Sequence, residues 1–489
     1  MTITAPEDVL RSPNTVLANA VDSTLDVLRP RVFAEEPERI RFVVGTQING
    51  HPHIGTHLVQ SLAFLLAEQT RDDYGIDVDV EFHALDNAPA ETVRDPETGH
   101  RYQRTYVHQL GPDAIGALVA EHYTPLFDAL SARTNVPYGV TTYTAQQDGP
   151  EFRAEFVRTL EYLEEIRYWL DPSAGSAHIR LPCPVCGWAE KDAQRTRLLE
   201  LDDSGALFES VCMDHGRYES DITPLGGGYV DLATLYRNVV KERAYRPDGT
   251  LRVMVKGGDW VYGCSLVDGA QSAIGPTATA PARIFTPQIL GPDGGKLSKS
   301  LLRETAEAGP AEGAPFGWLL NPSLWPGTPE DYVRTLTGFG ELLLSSPRHF
   351  FRSYTTTEME RLIVTTRKPA TNQTQAKRPK SMAIYRQYFD LIADGSKTVE
   401  VRVQYPSMLR IKVGDLINFT CRELSCLTRV TRVGKYKTFK EMFGTEDVRA
   451  VNPNASEAEQ LEAIYAIFPP EKEALGVITF QIERVKGDG

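Results

Sequence analysis

Residues 48–56 read Ile-Asn-Gly-His-Pro-His-Ile-Gly-Thr, a glycine turn and a histidine placed just before an apolar periodic stretch. His53 on that turn can donate a hydrogen bond to a phosphate oxygen. Gly55 lets a nucleotide approach the backbone, and the positive end of a helix starting there favours the same charge. Far downstream, residues 294–300 (GGKLSKS) form a glycine-led loop with Lys296 and Lys299 flanking Ser298. Two such lysines closing over a triphosphate neutralise charge as pyrophosphate departs, and closure that favours the transition state raises turnover. Either segment alone fits a solvated turn. Together, about 240 residues apart, they form a pair of phosphate-handling elements.

A second cluster lies between them. Cys183-x-x-Cys186 and Cys212-x-x-His215 are separated by 25 residues. Each pair places two ligands on one tight turn, helped in the first by Pro184 and Gly187, and four thiolate or imidazole donors suit tetrahedral Zn2+. With all four positions filled by protein, the zinc is expected to be structural. Unrelated free thiols are the alternative.

These residues need a scaffold. Residues 41–46 (RFVVGT) read as a short buried strand. A helix starting near Gly55 follows, with Leu58, Leu62, Leu65 and Leu66 on one face, and then a strand over 78–85 (VDVEFHAL). Strand, glycine turn, helix and strand open a doubly wound α/β sheet of the nucleotide-binding, Rossmann-like type. Helices are predicted over 113–135 and 151–169, further strands over 251–255 and 284–290, and two short helical patterns within 328–362. Residues 365–379 (TTRKPATNQTQAKRP) have linker composition, and apolar runs at 416–419 and 475–481 suggest a small β-rich domain beyond.

In this order, the two phosphate-handling segments resemble the paired signatures of the class I aminoacyl-tRNA synthetases. His53-Ile54-Gly55-Thr56 stands at the family's His-Ile-Gly-His motif, and residues 296–300 (KLSKS) at its Lys-Met-Ser-Lys-Ser motif. Over roughly residues 40–300 the chain looks most like the lysyl enzymes of that class, which also carry cysteine knuckles between the motifs. The resemblance implies ATP, with Mg2+, as the activating cofactor. It implies His53, Lys296 and Lys299 as catalytic residues, and Gly50, Gly55, Thr56, Gly258, Asp259 and Ser298 as ATP-binding residues. Asp86, Ser265 and Asp268 would line the amino-acid pocket, with Asp86 facing a lysine ammonium; a helix or turn cap is the plain alternative for Asp86. Three departures stand out: Thr56 and Trp260 where the family has histidine, and a single acid, Asp86, where lysyl enzymes carry two.

The tail resembles a different family. Gly395, Lys397, Glu400 and Arg402 match the Gly-x-Lys-x-x-Glu-x-Arg signature of the ASCH domain, a small β-barrel related to PUA-type RNA-binding modules. The resemblance implies that Lys397 and Arg402 contact phosphate or base while Glu400 orients them or accepts a base proton; some ASCH proteins hydrolyse acylated cytidine with a lysine and a carboxylate. A plain Lys397–Glu400 salt bridge is the alternative.

Composition bounds the rest. With 489 residues, 41% hydrophobic and 24% charged, the chain reads as a globular protein of two to four domains. It has no apolar run long enough to span a membrane and no signal peptide, so a cytoplasmic location is expected. The net charge of −13 is uneven: residues 377–489 hold 18 Lys and Arg against 15 Asp and Glu, or +3, leaving −16 on residues 1–376. The expected organisation is a catalytic domain over 1–300 with the zinc module inserted at about 178–225. A short helical region over 301–364, a linker over 365–379 and an ASCH-like domain over 380–489 follow. Only about 75 residues separate Ser300 from the tail, too few for the helical anticodon-reading region of lysyl enzymes. The expected function is therefore ATP-dependent activation of an amino acid, lysine or a relative, as an adenylate. The acceptor is tRNA or another RNA in one reading and a small molecule, forming an amide in specialised metabolism, in the other. A third reading is an RNA-binding or nucleoside-amidohydrolase ASCH protein on a non-catalytic synthetase-like scaffold.

Overall fold

The computed structural model describes residues 21–485 except 22, 50–51, 172, 174–176, 276, 278, 292–293, 298–316, 320, 368–378, 406–407 and 422–423, and the side chains of 364–367. The chain divides into two compact units. One comprises Met1–Phe64, Asp79–Leu130 and Pro137–Arg367; the other comprises Leu65–Val78, Ser131–Val136 and Lys368–Gly489.

A five-stranded sheet organises the first unit: β1 (Arg39–Gln47), β2 (Asp77–Leu85), β3 (Tyr138–Thr142), β4 (Thr250–Gly257) and β5 (Ala282–Thr286), in the order β5-β4-β1-β2-β3. β1 runs parallel to β4, with Phe42 opposite Val253; β4 runs parallel to β5, and β2 to β3. The buried run Ile40, Phe42, Val43 and Val44 explains β1, since strands covered on both faces are apolar without alternation. Counting outward from β1, the chain builds β2 and β3 on one side and then returns to build β4 and β5 on the other. The reversal leaves a crevice at the carboxyl ends of β1 and β4, the place where doubly wound sheets bind ligands.

Helix α1 (Ile54–Tyr74) leaves the carboxyl end of β1. The expected leucine stripe is buried, and so are Ala63, Phe64 and Ala67, so this helix is enclosed on most of its circumference rather than on one face. The single helix expected over 113–135 is two, Pro112–His122 and Thr124–Thr134. Pro125 accounts for the break, because it lacks a donor and its ring crowds the preceding turn. For the same reason the strand expected over 284–290 stops at Thr286 and resumes only at Ile289–Leu290, across Pro287. Three further helices matter below: α2 (Tyr143–Gln147), α3 (Thr234–Arg243) and α4 (Val261–Ile274). Phe156, Phe208, Tyr236, Val239 and Val267 belong to one apolar core that fixes α3 and α4. The cysteine-rich segment forms an antiparallel sheet of Arg197–Asp202, Gly205–Cys212, Gly216–Thr223 and Gly226–Gly227.

The second unit contains β6 (Lys380–Ala383), β7 (Val399–Val403), β8 (Leu416–Cys421), β9 (Leu424–Tyr436) and β10 (Val477–Arg484), ordered β6-β8-β9-β10-β7. Only the β6–β8 pairing is parallel. A register shift between Val430 and Arg432 adds twist, and Phe419, Phe439 and Phe480 fill the concave side. The expected barrel is a curled half-barrel: among the described residues, edge strands β6 and β7 do not pair with each other. No helix among the described residues is long and apolar enough to cross a membrane.

Candidate functional site

A cavity of about 540 Å³ occupies the crevice of the parallel sheet. Its lining brings together His53, Gly55 and Thr56 from the start of α1, Asp259 after β4, and Lys296 from the glycine-led loop. The geometry follows from the local sequence. Thr56 and His57 donate their backbone N–H groups to the His53 carbonyl, at 2.9 and 3.1 Å, so α1 begins on His53. The N–H of Gly55 donates to His53 Nδ1 at 3.1 Å. A Cβ at position 55 would lie 2.9 Å from that imidazole ring, so only glycine lets the ring fold over the helix start. A similar squeeze exists at Gly257, where a Cβ would meet the Asp259 carboxylate at 2.6 Å.

Lys296 reaches across to Asp259 and forms an ion pair with it. Its backbone bridges Leu290, and Leu297 donates to the Ile289 carbonyl at 3.1 Å, so the loop is anchored at its root. Leu297, which stands at the methionine position of the resembled motif, is buried. Gly258 lies at the turn between Gly257 and Asp259. Gly50, Ser298 and Lys299 lie outside the described residues.

The three residues expected around an amino acid are not in the lining. Ser265 Oγ donates to the Val261 carbonyl at 3.1 Å within α4, and Asp268 accepts from Arg283 Nη2 at 2.5 Å. Asp86 is buried and accepts the N–H of Thr144 at 3.0 Å, so it caps the first turn of α2; burial pushes its carboxyl above the usual range.

The lining instead contains a group that no motif marks: His83 on β2, Lys256 at the end of β4, and Arg237 and Lys241 on α3. Arg237 donates from Nη1 to Asn87 Oδ1 at 3.1 Å, and Asn87 in turn donates to Asp231 Oδ1 at 2.8 Å. Asp231 is fully buried and also takes Arg180 Nε at 2.7 Å and Gln103 Nε2 at 3.1 Å. This network holds α3 and aims Arg237. Lys256 sits over the Trp260 ring, 4.2 Å from its centroid, a cation–π contact that suits tryptophan at the position where the resembled family has histidine. Burial lowers Lys241 to about 7 and Lys256 to about 8, each ammonium also opposing the other cations. Two signals in the sequence pointed here: Arg237 and Lys241 fall four apart on a helix whose other buried positions include Tyr236, Val239 and Val240, and Lys256 immediately precedes Gly257-Gly258-Asp259.

The cysteine cluster is compact. Cys186 Sγ lies 3.4 Å from Cys212 Sγ, and His215 Nδ1 lies 3.6 Å from Cys212 Sγ and 3.7 Å from Cys183 Sγ. Metal–ligand bonds of about 2.0–2.3 Å in tetrahedral geometry require ligand separations of roughly 3.4–3.8 Å, so the four donors fit Zn2+. Gly187 closes the first knuckle, its N–H donating to the Cys183 carbonyl at 2.8 Å with φ of 76°.

In the second unit Lys397, Glu400 and Arg402 form one buried chain. Lys397 Nζ donates to the carbonyls of Val399 (2.8 Å) and Val451 (2.9 Å) and lies 3.3 Å from Glu400 Oε2. Arg402 Nε lies 3.0 Å from Glu400 Oε1, and its Nη2 donates to the Ala383 carbonyl at 3.2 Å. Arg402 thus carries a side-chain link from β7 to β6, across the opening of the half-barrel. Burial lowers the Lys397 ammonium and Glu400 opposes that shift.

Residues 382–481 match the ASCH domain family. A protein from Pyrococcus furiosus, solved in solution, is 27% identical over 22% of this chain and 100% of its own, with a TM-score of 0.20. Glutamate-tRNA synthetase from Elizabethkingia anophelis is 14% identical, covering 66% of this chain and 69% of its own, with a TM-score of 0.30. Methionyl-tRNA synthetase from Mycobacterium tuberculosis, bound by methionyl-adenylate, is 13% identical over 73% and 77%, with a TM-score of 0.31. Among curated proteins no match was found.

Proposed function

We propose that this chain is an ATP-dependent ligase that activates the carboxyl group of an amino acid as an acyl-adenylate, in the manner of the class I aminoacyl-tRNA synthetases. One observation carries the reading: His53, Gly55 and Thr56, with Asp259 and Lys296 more than 200 residues away in sequence, line one cavity at the switch point of a parallel sheet. In this reading the triphosphate lies over the start of α1, where backbone N–H groups and the helix dipole meet its charge. The Gly257–Asp259 turn takes the nucleoside, with the Asp259 carboxylate accepting from ribose hydroxyls once Lys296 turns to phosphate.

The reaction needs no protein nucleophile. A carboxylate oxygen of the acid bonds to the α-phosphorus as the bond to the bridging oxygen breaks, and pyrophosphate leaves with the electron pair. His53 donates to the phosphate oxygens and Lys296, joined by Lys299, neutralises the departing pyrophosphate. Mg2+ enters as the partner of ATP. Cys183, Cys186, Cys212 and His215 would hold Zn2+, which cross-links the two knuckles and takes no part in the reaction. The ASCH domain offers an RNA-contacting surface, and RNA or a small amine accepts the acyl group. The test is amino-acid-dependent exchange of pyrophosphate into ATP. Exchange with at least one amino acid supports the reading, and none across a panel that includes lysine and the acidic and neutral amino acids defeats it.

A further inference from the structure

Among the described residues of the first unit some buried cations are matched to carboxylates, while Arg153 donates to backbone carbonyls and Gln147. Arg180 pairs with Asp231 at 2.7 Å, Arg283 with Glu242 at 2.9 Å, and Arg243 with Glu155 at 3.3 Å. Arg237, Lys241 and Lys256 have no carboxylate within 4.0 Å among the described residues, and all three line the cavity. Arg237 is held by the neutral Asn87 amide, and Lys241 is only 6% exposed. An ammonium without a carboxylate in such a place is costly to desolvate, and a ligand that supplies the counter-charge offsets that cost.

The arrangement also says where the counter-charge sits. Thr234, Arg237, Asn238 and Lys241 occupy positions i, i+3, i+4 and i+7 of α3 and all face the cavity, so this wall runs about 10 Å along the helix. The carboxylate to be activated must lie at the other end, beside His53 and Lys296. Asp259 is the one acid of the described lining, and it pairs with Lys296. Among the described lining residues no acid stands at the Lys241 end to receive an ammonium side chain.

We infer that Arg237, Lys241 and Lys256 form a pocket for a second anionic group, and that the acid activated here is a dicarboxylic amino acid rather than lysine. This rests on the activation reading above and assigns its substrate class. The three cations neutralise the distal carboxylate, and His83, whose Nε2 is 3.3 Å from Glu81 Oε1, lines the same cavity.

The test uses the full chain. Pyrophosphate exchange is measured with aspartate, glutamate, 2-aminoadipate, lysine and methionine, for wild type and for Lys241→Met and Lys256→Met, with circular dichroism confirming folding. The expected result is exchange at least tenfold faster with a dicarboxylic amino acid than with lysine or methionine, and an amino-acid KM raised at least tenfold by either substitution while the KM for ATP moves less than threefold. Faster exchange with lysine or methionine overturns the inference. A rise confined to the KM for ATP also overturns it, because the cations would then serve the triphosphate. If no amino acid supports exchange, the activation reading fails, and calorimetric titration of the three dicarboxylates then decides the inference separately. Binding that Lys241→Met weakens tenfold upholds it, and no binding by any of them removes it. If neither variant folds, the wild-type panel and titration still decide.

Discussion

Replacing Lys296 by methionine separates catalysis from stability. The side chain is 49% exposed, and its partner Asp259 is 24% exposed. An ion pair in that setting is worth about 0–1 kcal/mol, so Lys296→Met is expected to lower the unfolding temperature by at most about 2 °C. The cost to the reaction is larger. Removing one charged donor from a developing anion typically costs about 3–4 kcal/mol, and each 1.4 kcal/mol is tenfold, so turnover in pyrophosphate exchange should fall roughly 100- to 1,000-fold. The KM for the amino acid should change little, since Lys296 faces the leaving group. Exchange rates and thermal melts on the same preparation make the comparison. Turnover within threefold of wild type would refute the role of this loop, and so would a loss of activity that tracks unfolding.

Asp231→Asn removes the carboxylate shared by Arg180, Asn87 and Gln103, and should destabilise the protein by about 3–5 kcal/mol in urea unfolding, because it leaves Arg180 buried without its partner. Cys212→Ser should reduce bound zinc from one equivalent to well below one by elemental analysis and make residues 183–223 more sensitive to proteolysis; full zinc retention would argue against the four-ligand site. Lys241 titrates near 7 in the folded protein against about 10.5 when unfolded, so between those values the unfolded chain holds the extra proton. Stability therefore rises with pH from 7 to 10.5 on account of this group. Lys256, Arg237 and Arg283 oppose its charge while Glu242 favours it, and a bound carboxylate would add to the latter. Dicarboxylate binding near pH 8 should thus take up protons, read as a buffer-dependent enthalpy that Lys241→Met reduces, Lys256 accounting for the remainder.

The parallel sheet was legible from the apolar run in residues 41–46 and from the apolar–polar alternation of residues 78–85, two patterns that strands leave in a sequence. The cysteine cluster was legible from spacing alone, since two short knuckles fix their own ligands. The helix break at Tyr123 and the strand break at Pro287 come from single prolines inside otherwise periodic segments, where the apolar pattern outweighs the local signal. The wall of cations was legible only as two separate local signals, not as one wall. Arg237 and Lys241 sit on a helix more than 150 residues from His83 in sequence, and only the strand order β4-β1-β2 places that helix over the same crevice. The sequence leaves Asp86 two readings, a ligand contact or a helix or turn cap, and its oxygen meets the backbone of α2 as a cap does.

The most direct measurement is pyrophosphate exchange into ATP by the wild-type protein, amino acid by amino acid. Activation by the cavity at the β1–β4 crevice predicts exchange that depends on an added amino acid, with a dicarboxylic one the best. ATP with no exchange for any amino acid, from a folded and zinc-loaded preparation, would contradict it.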